Sequence, residues 1–373
     1  MGQHTSVAPR AAGSAGRLLP QLVVLVWLPV CFFFGLVNRR FLPEKYFLDD
    51  RHLQAVMPTA TPDSADSFVV MAWIYRALGA MGHPTAVQAV TMLLFFALLF
   101  TCAPWSALTR FTVYETGIFC FCAAACAVYL AQYSKESLVL LLVLGLVLLP
   151  RSVLGDVVFV AAACLYAATL REYWFLVAGV YVLLRLVLRR ARTPVWVPLV
   201  MAGALLAFAV GVEVLLGQDL NTFREIVAQY RVNSPNAQSA IQDYLPADTP
   251  PLAAANAALT VLLLVVPIPL LLDGSVVYLG FSVVIAALWL GTVARGVAWG
   301  TRRGWFARDV PMARAVSLLL AMLTVQAVFE PDYGSYLKHL TPLLPLFPLL
   351  FVRFRAQRER DARARGGSPA VTA

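Results

Sequence analysis

Charge is scarce in this 373-residue chain. Asp, Glu, Lys and Arg make up 13% of it and hydrophobic residues 60%, whereas a soluble domain carries about 25% charged residues. With a mean hydropathy of +0.76, a water-soluble fold could not hide so much apolar surface. No glycine-rich phosphate loop or nucleotide-binding pattern is visible, which argues against a nucleotide-activated substrate drawn from the cytosol. Only four histidines are present and none has metal-ligand spacing, so neither a metal nor another cofactor is expected. The six cysteines (Cys31, Cys102, Cys120, Cys122, Cys126 and Cys164) all fall within or beside apolar stretches, a packing distribution that implies no disulfide framework. No internal repeat is evident, which weakens any architecture built from inverted halves.

The apolar material comes in segments of bilayer-spanning length, near 18–37, 86–103, 112–132, 137–150, 153–170, 173–190, 195–216, 276–294, 312–328 and 340–353. The expected fold is therefore all-α: one polytopic transmembrane bundle over 18–353, with about ten spans plus interfacial helices. The net charge of +9 is concentrated at Arg185 to Arg192, Arg295 to Arg308 and Arg353 to Arg365, each beside an apolar span. That is orientation signal rather than a nucleic-acid surface. Both ends, 1–17 and 354–373, are expected to be cytoplasmic and disordered, and Leu18 to Val37 to be a retained signal anchor of a multi-pass cell-membrane protein.

Counting crossings settles two ambiguous segments. If 66–82 crossed, Arg189, Arg190 and Arg192 would land outside, so it is expected to lie in the interface. Leu252 to Val266, broken by Pro267-Ile268-Pro269, is expected to be half-inserted or interfacial for the same reason. This threading collects the unusual polar residues in outer loops at 38–66, 132–136, 170–174, 217–255 and 329–339.

Several constellations there can carry chemistry. Asp49 and Asp50, beside Arg51 and His52, offer carboxylates for proton abstraction from a hydroxyl; the plainer reading is a helix cap in a solvated loop. Lys135 and Glu136 lie close to hydrocarbon, where charged residues are functional by default, although Ser134 and Glu136 also suit a helix start. Arg171, next to Glu172, Tyr173 and Trp174, can face a phosphate, with a plain aromatic belt as the alternative. Arg224 and Arg231, seven apart, share one face if helical, and among Asn221, Gln229, Tyr230, Asn233, Asn236, Gln238 and Gln242 they suit a diphosphate and sugar hydroxyls. The opposing reading is a long solvated loop. Finally Glu330, Asp332, Tyr336, Lys338 and His339 crowd into one short connection, more than the tight turn at Pro331 and Gly334 requires.

Ten or so spans, a first outer loop with Asp49-Asp50, the charged turn Ser134-Lys135-Glu136 and a long outer loop with Arg224 and Arg231 together resemble the Wzy-like and EpsG-like bacterial polysaccharide polymerases. The first loop and interfacial helix are also similar to GT-C membrane glycosyltransferases, which use polyprenyl-phosphate-sugar donors. The chain lacks the large soluble C-terminal domain of many GT-C enzymes, which favours the polymerase likeness. The resemblance implies an enzyme extending a cell-surface polysaccharide from lipid-linked saccharides at the outer face, with other polysaccharide-synthesis proteins as candidate partners and no nucleic acid. It further implies Asp49 or Asp50 as general base in a GT-C reading, and Arg224 with Arg231 on the diphosphate in a polymerase reading. The alternatives are a transporter or flippase of lipid-linked sugars, for which Asp156 and Glu213 are the main charges within spans, and an accessory subunit of a synthesis complex.

Overall fold

The computed structural model describes residues 14–190, 195–220, 222, 239–245, 249–300 and 309–364. Among these the chain is helical, without a β-strand. The first half carries α1 (Ser14–Val37), α2 (Leu48–Val56), α3 (Ser67–Ala77), α4 (Pro84–Cys102), α5 (Trp105–Leu108), α6 (Val113–Tyr129), α7 (Glu136–Leu148) and α8 (Val153–Thr169). The second carries α9 (Trp174–Arg190), α10 (Trp196–Leu216), α11 (Pro250–Val265), α12 (Ile268–Leu272), α13 (Val276–Gly300), α14 (Val310–Phe329), α15 (Tyr333–Leu340) and α16 (Leu346–Ala364).

Among the described residues five helices are long and apolar enough to cross a bilayer: Leu18–Arg40, Pro84–Cys102, Trp196–Leu216, Val276–Gly296 and Val310–Phe329. A sixth is reached if α15 and α16, bent by 53°, count as one broken span. The sequence expectation of about ten spans is thus met in part. α7 has 13 residues and rises only about 20 Å, short of a hydrocarbon core of about 30 Å. The polar breaks at Ser134 and at Pro150-Arg151-Ser152 cut the apolar stretches of the middle region to such lengths.

α14 is the spine. Its apolar window is 83% buried against 17% for the first span, so α14 is enclosed by protein while α1 presents its apolar side chains at the surface. The ends of α14 differ chemically. Arg314 lies in its first turns and Glu330 is its C-terminal cap, about 24 Å apart by helical rise. Around Glu330 gather the segments bearing Asp49, Glu136, Arg171 and His339. Around Arg314 gather Asp156, Arg185 and Arg189.

α11 starts beside the Glu330 end, where Asn256 accepts from the Tyr244 and Leu245 amides. It stops before Pro267, whose carbonyl accepts from Ser282 Oγ at 3.2 Å, early in α13. The neighbouring Phe281 ring packs edge-on against Tyr333, at the start of α15. The end of α11 therefore lies against early α13, and the proline supplies the break because it has no amide hydrogen to continue the helix.

The charged stretch after residue 353, expected to be disordered, continues as α16 to Ala364. The physical reason is its ion pairs: Arg355 bonds Glu115 at 2.6 Å and Arg110 bonds Glu359 at 2.9 Å. All six cysteines are free thiols, four of them buried.

Candidate functional site

Asn38 builds the first wall of the site. It is wholly buried just beyond α1 and donates to the Ala127 and Ala131 carbonyls at 3.0 and 3.1 Å while accepting from Gln88. Those bonds join the ends of α1, α4 and α6, and they bring the 38–56 segment against the turn at 130–136. Asp50 completes the join. Its carboxylate accepts from Arg39 at 2.7 Å, Gln54 at 2.9 Å and the Tyr133 amide at 3.0 Å. Burial raises the Asp50 carboxyl above its ordinary value, with Arg39 opposing.

The 132–136 turn is unusual because loops normally lie at the surface, yet Tyr133, Ser134, Lys135 and Glu136 are all buried. Most of its polar groups are satisfied internally, as burial demands, with the buried Gln132 Oε1 left without a partner among the described residues. Tyr75 Oη accepts from the Ser134 amide and donates to its carbonyl, Tyr133 Oη donates to the Ala80 carbonyl, and Ser134 Oγ bonds Glu136.

On this scaffold seven ionisable side chains from distant parts of the sequence converge. Glu136 Oε1 lies 2.7 Å from an Arg171 terminal nitrogen and 3.2 Å from His339 Nε2. His339 Nδ1 lies 2.5 Å from Glu330 Oε1, and Lys338 bonds Asp49. Both imidazole nitrogens thus face carboxylate oxygens; burial would lower the His339 imidazole, but Glu330 and Glu136 hold it above its ordinary value and favour the imidazolium. Lys135 Nζ donates to Ser67 Oγ at 3.1 Å and sits 3.4 Å from the centre of the Phe68 ring, a cation–π seat. Tyr173 packs 6.1 Å from His339, and the buried Arg171 Nε has no acceptor among the described residues.

The electrostatics follow from this crowding. Burial would raise the Asp49 carboxyl, but the Lys338 ammonium, with Arg171 in support, holds it below its ordinary value despite Glu136 nearby. Burial and the Arg171 guanidinium push the Lys135 ammonium down to about 8, with Glu136 and Asp49 opposing. Side-chain exposure separates the roles: Asp49 is 30% exposed, Arg171 20% and Lys338 18%, against 3% for Glu136 and 5% for Glu330. The first three can touch a ligand; the other two act through neighbours.

Of the residues singled out from sequence, Asp49, Lys135, Glu136, Arg171, Glu330, Lys338 and His339 are brought together. The other described ones stand apart. Asp50 serves as the internal staple described above rather than as a free base. Arg51 pairs with Glu44 at the surface, beside a shallow hollow lined also by Arg39, Leu42, Phe47 and Asp50. Asp332 caps α15 by accepting from the Ser335 amide, which a Pro-Asp turn before a helix favours. Tyr336 is buried and its hydroxyl accepts from Trp289 Nε1 at 2.6 Å, so it is a core residue. Arg224 and Arg231 lie outside the described residues, but the segment that follows them is placed: Ile241 donates to the Pro331 carbonyl at 2.9 Å and Tyr333 to that of Ser239 at 3.1 Å, beside Glu330.

Sequence reasoning missed Arg39, Gln54, Ser67 and Phe68. Arg39 falls in the first outer loop with no pattern to single it out, and nothing in the interfacial-helix pattern marks Phe68 as the seat for an ammonium. Among the described residues no group of three or more His, Cys, Asp or Glu side chains is arranged to hold a metal ion. The chain matches no protein-family model, no curated protein and no solved structure.

Proposed function

We propose that this chain is a membrane glycosyltransferase or polymerase that transfers sugar from a polyprenyl-linked phosphate or diphosphate donor, and that the Asp49–Lys338–Arg171 face is its reaction site. The orientation that goes with this reading puts the Glu330 end outside and the arginine-rich end in the cytoplasm, as the charge asymmetry favours. The observation that carries the proposal is the convergence of acid, guanidinium, ammonium and imidazolium groups at one end of an apolar bundle, where unpaired charge is costly and therefore rarely accidental.

In this reaction the acceptor oxygen forms a bond to the sugar's anomeric carbon, the bond from that carbon to the phosphate oxygen breaks, and the lipid (di)phosphate leaves with the electron pair. Asp49 takes the acceptor proton. Its ion pair with Lys338 keeps it a weak base at rest; an incoming phosphate draws Lys338 and Arg171 to itself and leaves the carboxylate more basic. The cations then meet the charge that develops on the leaving group. Glu136, His339 and Glu330 hold Arg171 and the α15 backbone in place.

A transporter would need a polar path between the two charged ends. Along α14, between Arg314 and Gln326, the polar side chains are Ser317 and Thr324 alone, and Thr324 bonds back to the Leu320 carbonyl. The test is complementation of a deletion strain with Asp49→Asn, using Arg51→Ala as control. Loss of the base should cut surface polysaccharide output by about 100-fold or more, with donor lipid accumulating. Wild-type output from Asp49→Asn at normal protein level would refute the assignment.

A further inference from the structure

At the end of the bundle opposite the candidate site, one carboxylate faces three guanidiniums. Asp156, in the first turn of α8, accepts from Arg185 and Arg189 at 2.9 Å each and from Arg314 Nε at 2.7 Å, with Tyr181 Oη donating as a fourth partner at 3.0 Å. Three positive charges against one negative leave an excess of two. Arg314 has spent its remaining N–H groups: they donate to the carbonyls of Leu146, Leu149, Pro150 and Ser152. It is a structural clamp on the turn between α7 and α8.

Arg185 and Arg189 are different. They sit one helical turn apart on the same face of α9. The Arg185 side chain is only 5% exposed, and its buried Nε–H has no acceptor among the described residues. Arg189 is 38% exposed and opens the cluster to the surface, where Arg190 and Arg151 are also exposed. A buried guanidinium donor without an acceptor, in a cluster carrying surplus positive charge, is costly unless an anion completes it. In a bundle of apolar helices the group at this level is the headgroup layer, and a phosphate matches the forked donor geometry of two arginines.

We propose that Arg185 and Arg189 form a binding site for a phosphate group, supplied by an anionic phospholipid headgroup, distinct from the candidate site at the other end. The chemistry would also accept inorganic phosphate, so the experiment separates the two sources. Purified full-length protein in neutral detergent is titrated with phosphatidylglycerol, with phosphatidylcholine and with inorganic phosphate at constant ionic strength, and bound ligand is counted by native mass spectrometry. Phosphatidylglycerol should bind, and Arg189→Ala, a half-exposed position that leaves the Arg314 clamp intact, should weaken it roughly tenfold; phosphatidylcholine should bind at least tenfold more weakly. Inorganic phosphate bound with the same dependence on Arg189, while phosphatidylglycerol fails, would overturn the lipid source. Equal binding of phosphatidylglycerol by wild type and Arg189→Ala, or equal affinity for the two lipids, would overturn the site itself.

Discussion

Replacing His339 with alanine isolates the interaction that holds the candidate site together. The imidazolium ties Glu330 at 2.5 Å to Glu136 at 3.2 Å, so its loss leaves two buried carboxylates facing a vacated ring. Removing one partner of a buried charge pair costs about 3–5 kcal/mol. An independent ceiling comes from proton uptake: neutralising a carboxyl of ordinary pKa about 4.3 at pH 7 costs about 2.7 units of roughly 1.36 kcal/mol, or about 4 kcal/mol, and the variant will take that route if it is cheaper. The two agree at about 3–4 kcal/mol near neutrality. They also fix the sign of the pH dependence. Below about pH 6.5 the imidazole is protonated in both folded and unfolded wild type, whereas the variant still takes up a carboxyl proton on folding, so its deficit shrinks as pH falls and is about 1 kcal/mol at pH 5. Unfolding in mixed detergent micelles, followed by the fluorescence of the eight tryptophans at pH 5 and pH 7.5, measures this. A deficit that is absent at pH 7.5, or one that grows on acidification, would refute the bridging imidazolium.

Three further outcomes are expected. Lys338→Met removes the cation that lowers the Asp49 carboxyl, so the acid limb of the activity profile should move to higher pH; the pair's contribution is present above the unfolded carboxyl value and lost as pH falls through the folded one, and an unmoved limb would exclude Asp49 as the base. Lys135 has a folded value of about 8 against 10.5 unfolded, so the unfolded chain holds more protons between those values and stability should rise with pH across that window, the cost of the buried charge being complete below it. Lys135→Met should abolish that rise, as unfolding midpoints measured from pH 7.5 to 10.5 will report. Gly155→Ala places a methyl carbon 2.1 Å from the Pro150 carbonyl oxygen and 2.4 Å from an Arg314 nitrogen; the forced shift should cost about 1–3 kcal/mol, and a wild-type unfolding midpoint would show that the turn yields freely.

Sequence made some of this legible and hid the rest for definable reasons. Charges between apolar segments stand out because the membrane leaves them so few places, and for that reason Asp49, Lys135, Glu136, Arg171, Glu330, Lys338 and His339 could be named without coordinates. What each one touches could not. Asp49 and Asp50 are neighbours in sequence, yet about 100° of helical rotation separates them, sending one to Lys338 and the other to Arg39 and Tyr133. Pattern alone cannot tell which is which. The expected ten spans are met only in part where apolar composition runs through breaks such as Pro150-Arg151-Ser152, since composition does not record where the backbone turns. Arg314 escaped notice because a lone arginine early in an apolar helix resembles an orientation charge, whereas its donors are committed to one carboxylate and four carbonyls.

The two charged clusters share α14, and that arrangement divides the labour of the bundle. A helix whose side chains are buried along most of its length cannot slide without repacking all its neighbours, and close-packed interiors resist such displacement. Arg314 pins its start to the turn before α8, while Gln326 reaches the Tyr336 carbonyl at 3.1 Å and Glu330 grips His339 near its end. The backbone positions of Glu330 and His339 are therefore set by packing. Asp49, Lys338 and Arg171, by contrast, keep side chains that are 30%, 18% and 20% exposed. The ends of these side chains can change rotamer without moving the backbone that carries them. On the proposed function, the side chains that would release one another to a phosphate are thus the partly exposed ones, and those that hold them are buried against the rigid spine.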